Sequence, residues 1–202
     1  MASSATEIAN LAISHLGIGK TIANLETEKS QEANACRRFY NTIRDSTLRD
    51  FPWPFAGKTA ALALIEENPT TEWTYSYRYP TDCLKARRIL SGNRNDTRQS
   101  EVVYKIFYSA TGTVIYTDMK DAELEYTVLI DDPIRYPANF SLAFSLRLAT
   151  YIAPQLTAGD PFKMGEQSFR RYQMELAMAQ SSSLNEEQPD QEPESEFIRA
   201  RA

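Results

Sequence analysis

The sequence predicts an α+β fold: a four-helix bundle interrupted by a small, mostly antiparallel β unit and followed by an extended C-terminal tail. Three observations carry this. Apolar residues recur at helical spacing up to about residue 56 and again after residue 131. Between these stretches the period falls to two, as in strands with distinct faces. Beyond Ser181 periodicity gives way to polar, acidic chain. The reading divides the chain into residues 1–56 and 131–180 as helical bundle, 57–130 as β insertion and 181–202 as a flexible acidic tail.

Ser4-Ala-Thr-Glu7 is a capping box, in which the Ser oxygen accepts an orphan N–H of the first turn. Ile8, Leu11, Ala12 and Leu16 then mark one helical face, and Gly17 stands where a helix C-cap glycine belongs. His15, the only histidine, lies in the last turn, where a partly charged imidazole suits the helix dipole. A second helix is predicted over about Ser30–Asp50, burying Ala33, Cys36, Tyr40, Ile43 and Thr47. Around that stripe lie Arg37, Arg38, Arg44 and Arg49 with Glu32, Asp45 and Asp50. A lone globule would solvate this mixed-charge face, whereas an oligomer would pair it with a neighbouring subunit, so these arginines are candidate interface residues. The helix runs into Phe51-Pro52-Trp53-Pro54-Phe55. Each proline fixes φ and pushes its predecessor toward extended geometry, which predicts a stiff extended strap whose aromatic rings wedge the helix exit into the core.

In the β insertion, Lys58–Ile65 reads as a short strand. Trp73, Tyr75, Tyr77 and Tyr79 alternate with polar residues up to Pro80. That aromatic face serves either cross-strand packing or binding of sugars or unstacked bases. Leu84–Leu90, Val102–Tyr108, Thr113–Tyr116 and Glu123–Ile130 bring the total to five or six strands. Ser91–Ser100, with Arg94, Asp96 and Arg98, reads as an exposed hairpin tip, and Ala110-Thr-Gly112 as a tight turn.

Helical spacing returns after Pro137 with Phe140, Ala143, Phe144, Leu146, Leu148 and Ile152, apolar on most sides and therefore the central helix. Pro154 should end or kink it. Asp160-Pro161 is a strong start for a fourth helix, with Phe162, Gly165, Phe169, Tyr172, Leu176 and Ala179 as its predicted stripe. Met164, Met174 and Met178 lie off that stripe, on a surface suited to a partner. The tail is a polar, acidic spacer ending in Phe197, Ile198 and Arg199. It is either an unstructured terminus or a peptide that docks on a partner.

At 202 residues and 42% apolar content the chain can bury a substantial core. Of its net charge of −5, most sits in the last 22 residues, which hold six acids against two arginines. The remainder is close to neutral and offers no basic cluster for counterion-release binding to nucleic acid. No apolar run is long enough to span a membrane, and the N-terminus lacks the basic region of a signal peptide. Cys36 and Cys83 fit no metal or redox spacing and read as thiols in a reducing compartment. HExxH, GxSxG, P-loop and CxxC motifs are absent from the sequence. Acid pairs such as Glu66–Glu67 and Asp131–Asp132 would point to opposite faces of a strand. The sequence therefore supplies no candidate catalytic, cofactor-binding or metal-ligating residue.

Two runs carry a family likeness. The first includes Leu16-Gly17, Cys36, Tyr40, Arg44-Asp45, Leu48-Arg49 and the strap from Phe51 to Ala56; the second is Tyr77-Arg78-Tyr79-Pro80 leading to Asp82-Cys83-Leu84. Together they resemble the head-to-tail adaptor proteins of tailed bacteriophages, especially the tail tubular protein A group. The likeness spans about residues 9–90; the second half agrees in architecture more than in motif. It implies a non-enzymatic virion protein without cofactor, assembled as a homo-oligomeric ring of about twelve copies. Such a ring sits in the neck of the particle, between the portal protein and a tail or nozzle protein. Double-stranded DNA passes through it without specific binding, no membrane is involved, and the host cytoplasm is the site of assembly. In such adaptors C-terminal segments reach toward the portal, which suits Phe197, Ile198 and Arg199. The competing readings are a virion-associated peptidoglycan hydrolase and a carbohydrate or single-strand binder using Trp73–Tyr79.

Overall fold

The computed structural model describes residues 4–93, 100–109, 112–157 and 160–186. Among the described residues four α-helices and two antiparallel sheets make a mixed α+β fold, in the order two helices, seven strands, two helices. Residues 110–111 of the tight turn expected at Ala110–Gly112, the hairpin residues Arg94, Asp96 and Arg98, and the tail residues Phe197, Ile198 and Arg199 lie outside the described residues.

Helix α1 (Ala5–His15) starts as expected, the Ser4 hydroxyl accepting the Glu7 N–H. Its end is a Schellman turn: Gly17 N–H donates to the Ser14 carbonyl, Ile18 N–H to Ile13, and Gly17 sits at φ +73°. The buried face is Ile8, Ala9, Ala12 and Ile13, with Leu16 closing it. Leu11, expected on that face, is partly exposed because Ile13 takes the inward position. Asn10 exchanges two hydrogen bonds with the backbone of Ile22, holding the connection to α2 over the core.

Helix α2 (Gln31–Asp50) is capped by Ser30 and buries Ala33, Cys36, Tyr40, Ile43 and Thr47, the stripe its spacing predicts. The chain then departs from the expected straight strap. Phe51 is extended, but Trp53 N–H turns back onto the Phe51 carbonyl and Pro54–Ala56 form a 3-10 turn. Pro54 favours helical geometry at a first-turn position as readily as extension, and burial of Trp53 and Ala56 decides for the turn.

The β region holds seven strands in two sheets. One runs β1 (Gly57–Ala61), β7 (Glu123–Val128), β4 (Cys83–Ile89); the other runs β2 (Leu64–Glu67), β3 (Tyr75–Arg78), β6 (Gly112–Thr117), β5 (Tyr104–Ser109). The single strand expected over Lys58–Ile65 is therefore two. Leu62 N–H still bonds to Ala122 beside the first sheet, whereas the Ala63 carbonyl already accepts from Arg78 in the second. A periodicity of two survives such a switch of sheets, so the break leaves no mark in the pattern.

Helix α3 (Ala138–Leu156) packs against α1, α2 and α4 (Pro161–Glu186). Phe140, Ala143, Phe144, Leu146, Leu148 and Ile152 are all buried, as their spacing predicts. Pro154 does not end α3, which continues to Leu156. Proline at 154 removes the N–H that would bond the Thr150 carbonyl. Gly165 of α4 lies against that carbonyl, so close that a Cβ there would sit 3.2 Å from it. Asp160 caps α4 through Lys163 N–H. The buried stripe of α4 is Gly165, Ser168, Tyr172 and Ala179; Phe162 and Phe169, expected on it, are 79% and 40% exposed. Nor does the helix stop at Ser181: it runs through the serines to Glu186.

Two apolar clusters result. One gathers Trp53, Leu48, Phe140, Phe144 and the inward faces of the helices; the other gathers Tyr77, Ile89, Ile115, Leu124 and Tyr126 between the sheets. Val128 packs against both.

Candidate functional site at the helix–sheet joint

The C-terminal turn of α2 leaves its last carbonyls without helical partners, and each of two is taken by a side chain from elsewhere. The Trp53 indole N–H donates to the Thr47 carbonyl (2.9 Å), and Lys85 Nζ of β4 to the Arg49 carbonyl (2.8 Å). Trp53 is 1% exposed and meets Phe51 and Phe140 edge to face, each with ring centroids 5.1 Å apart. Phe55 reaches Phe140 in the same way. The aromatic wedge thus presses the end of α2 onto the start of α3.

β4 ties this wedge to the sheets. Arg87 donates to the Trp53 carbonyl (2.8 Å) and the Thr127 hydroxyl (3.1 Å), and pairs with Glu125. Ahead of it, Pro80–Cys83 form a turn closed by Cys83 N–H on the Pro80 carbonyl. Asp82 in that turn accepts from Lys58 Nζ (2.5 Å) and the Tyr126 hydroxyl (2.9 Å). The Lys58 hydrogen bond holds the Asp82 carboxyl below its ordinary range. Leu84 packs onto the helical cluster. The two runs separated in sequence, Arg44–Ala56 and Tyr77–Leu84, therefore meet at one joint.

No family model and no curated protein matches this chain.

A second tie at the same helix end was not legible beforehand. Asp50 accepts from the Tyr172 hydroxyl of α4 (2.5 Å) and pairs with Arg147 of α3, whose guanidinium also lies over the Tyr172 ring. Burial, reinforced by the hydrogen bond to Asp50, pushes the Tyr172 hydroxyl well above its ordinary value. Arg147 and Tyr172 sit on separate helices at no fixed spacing, so only packing brings them to Asp50.

The candidate interface residues divide. Arg38 and Arg49 are exposed, and Met174 and Met178 are 63% and 62% exposed. Arg37 is exposed too, but its guanidinium is held over the α1–α2 connection, donating to the carbonyls of Leu25 and Glu28. Arg44 is buried, 8% exposed, and pairs with Asp45, so its guanidinium is not part of a solvent face. Arg49 borders an open cleft of about 490 Å³ shared with Thr42, Asp45, Ser46, Asp50 and Leu84.

His15 Nε2 lies 3.1 Å from Ser145 Oγ, and burial, followed by the nearby Arg171 charge, lowers its pKa. Burial thus works against the charged imidazole that the helix end was expected to favour. Ser145 is fully buried and donates to the Leu142 carbonyl (2.8 Å), so His15 donates to it and does not act as a base toward it. Burial pushes the Cys36 thiol up to about 12, which suppresses thiolate chemistry. Both cysteines are free thiols. Glu66, Glu67, Asp131 and Asp132 are exposed. Among the described residues no three His, Cys, Asp or Glu side chains group as metal ligands, and no helix is long and apolar enough to cross a membrane. In the aromatic strand, Tyr77 is 2% exposed and donates to the Met119 carbonyl, while Trp73, Tyr75 and Tyr79 are half-buried.

Proposed function

We propose that this chain is a structural virion protein, a ring-forming head-to-tail connector between the portal and the tail of a bacteriophage. On this reading the helices form a bundle interrupted by the β unit. About twelve copies surround the channel through which double-stranded DNA leaves the capsid. The protein holds no cofactor and catalyses nothing; it works in the neck of the particle after assembly in the host cytoplasm.

The observation that carries the reading is the joint itself. The strap around Trp53 and the turn around Asp82, the two runs on which the adaptor likeness rests, are joined through Lys85, Arg87 and Lys58. A stiff joint between helices and sheets suits a part whose task is to keep shape while a polymer moves past it. The near-neutral body suits a conduit as well, since a basic lining would retain phosphates. Portal protein is the first partner, reached by the acidic tail with Phe197, Ile198 and Arg199; a tail or nozzle protein is the second. Light scattering on the chain mixed with its portal should return a large complex of fixed stoichiometry. Free monomer in the presence of portal would overturn the proposal.

A further inference from the structure

Among the described residues no strand pairs with the outer side of either edge strand of the four-stranded sheet, and the two edges match one another. At one edge β5 has β6 as its neighbour, and five of its six residues are exposed, including Ile106, Phe107 and Tyr108. At the other, β2 has β3 as its neighbour and is exposed throughout, with Leu64 50% and Ile65 43% exposed. An exposed apolar edge is a template for another strand, which proteins otherwise blunt or cover. Each neighbouring pair in this sheet is antiparallel, so β5 runs opposite to β2. A second copy set beside the first in the same orientation would continue the ladder with its β2 antiparallel to the first copy's β5.

The register makes the match specific. Across the sheet, Leu64 aligns with Tyr77, Ile115 and Ile106; β2 then bulges at Ile65, and the next row aligns Glu66 with Ser76, Tyr116 and Lys105. The rows therefore end in an apolar residue at both edges, and then in an acid at one edge and a base at the other. Extending them into a second copy puts Leu64 against Ile106 and Glu66 against Lys105.

We infer that β5 of one copy pairs with β2 of the next, in a head-to-tail contact that sets Lys105 opposite Glu66. The inference rests on the ring-forming reading for its occupant, a second copy of this chain, and names the surface that reading leaves open. A contact between two different patches repeats from copy to copy, which is the class that closes into rings.

Within one chain Glu66 and Lys105 are three strand steps apart, about 14 Å. That is beyond the reach of a disulfide, about 7 Å between Cα atoms. A cross-link between cysteines at these positions must therefore join two molecules. The test is full-length Glu66→Cys/Lys105→Cys, oxidised both free at high concentration and mixed with portal, and read on a non-reducing gel beside wild type. The expected result is a ladder of dimers, trimers and higher species absent from wild type. Sedimentation should show Lys105→Glu or Glu66→Lys alone weakening association about fivefold, and the double charge swap restoring it, the scale of one cross-strand charge pair. No ladder in either condition overturns the inference. So does a Lys105→Cys single variant that stops at a covalent dimer, which would mean symmetric β5–β5 pairing. A ring on the portal without the cross-link leaves the connector reading standing and removes this contact. A ladder with no portal binding does the reverse.

Discussion

Trp53 fills the space between α2 and α3 and caps a carbonyl that the helix end leaves open. Trp53→Ala removes both contributions and should cost about 3–5 kcal/mol in urea unfolding; a loss below about 1 kcal/mol would mean the ring is not core. His15 allows a prediction with a definite sign. Its folded pKa is held below the ordinary value of 6.5, so the unfolded chain binds the proton first as pH falls. Stability from this group is intact above 6.5, declines as pH falls through it, and levels off below the folded value. His15→Gln should therefore lose less stability than wild type between neutral and mildly acidic pH; equal slopes in chemical denaturation would refute the assignment.

Between elements, the approach of α4 to α3 depends on Gly165 meeting the carbonyl that Pro154 leaves without its helical amide. A larger side chain at 165 must push the helices apart, since the obstacle is backbone. Gly165→Leu should destabilise by about 1–3 kcal/mol and lower the melting temperature, without loss of the far-ultraviolet helical signal. The Schellman turn after α1 gives a contrasting case. Nothing lies within 4 Å of a Cβ built on Gly17, so Gly17→Ala should carry only the left-handed backbone cost, about 1–2 kcal/mol. A larger loss would imply a contact at that turn.

For the whole molecule, the helices and sheets are tied at one joint, to which the proposed edge strands β2 and β5 contribute none of the named bonds. Removing residues 187–202 takes away acidic chain beyond the end of α4. The truncated protein should melt as the full chain does but bind portal more weakly, and unchanged binding would refute docking by Phe197, Ile198 and Arg199. The mixed α+β class was legible because burial imposes its period on each element: the stripe of α2 and the apolar α3 appear where spacing puts them. In α4 the spacing placed Gly165, Tyr172 and Ala179 correctly but drew in Phe162 and Phe169, which are exposed, and passed over Ser168, which is buried. Hydrophobicity alone does not reveal that close helix contact prefers small residues. Arg44 reads as surface from its charge, yet it is buried, its guanidinium paired with the part-exposed Asp45 beside it.

Local chemistry in the chain determined the helices, the caps of α1, α2 and α4 and the change of period at the β unit, because these depend on residues within a turn or two of each other. Tertiary structure decided which sheet each strand joins, how Asp50 gathers Arg147 and Tyr172, and which strands are left as edges. Those outcomes depend on groups distant in sequence meeting in space, and no spacing along the chain encodes that meeting.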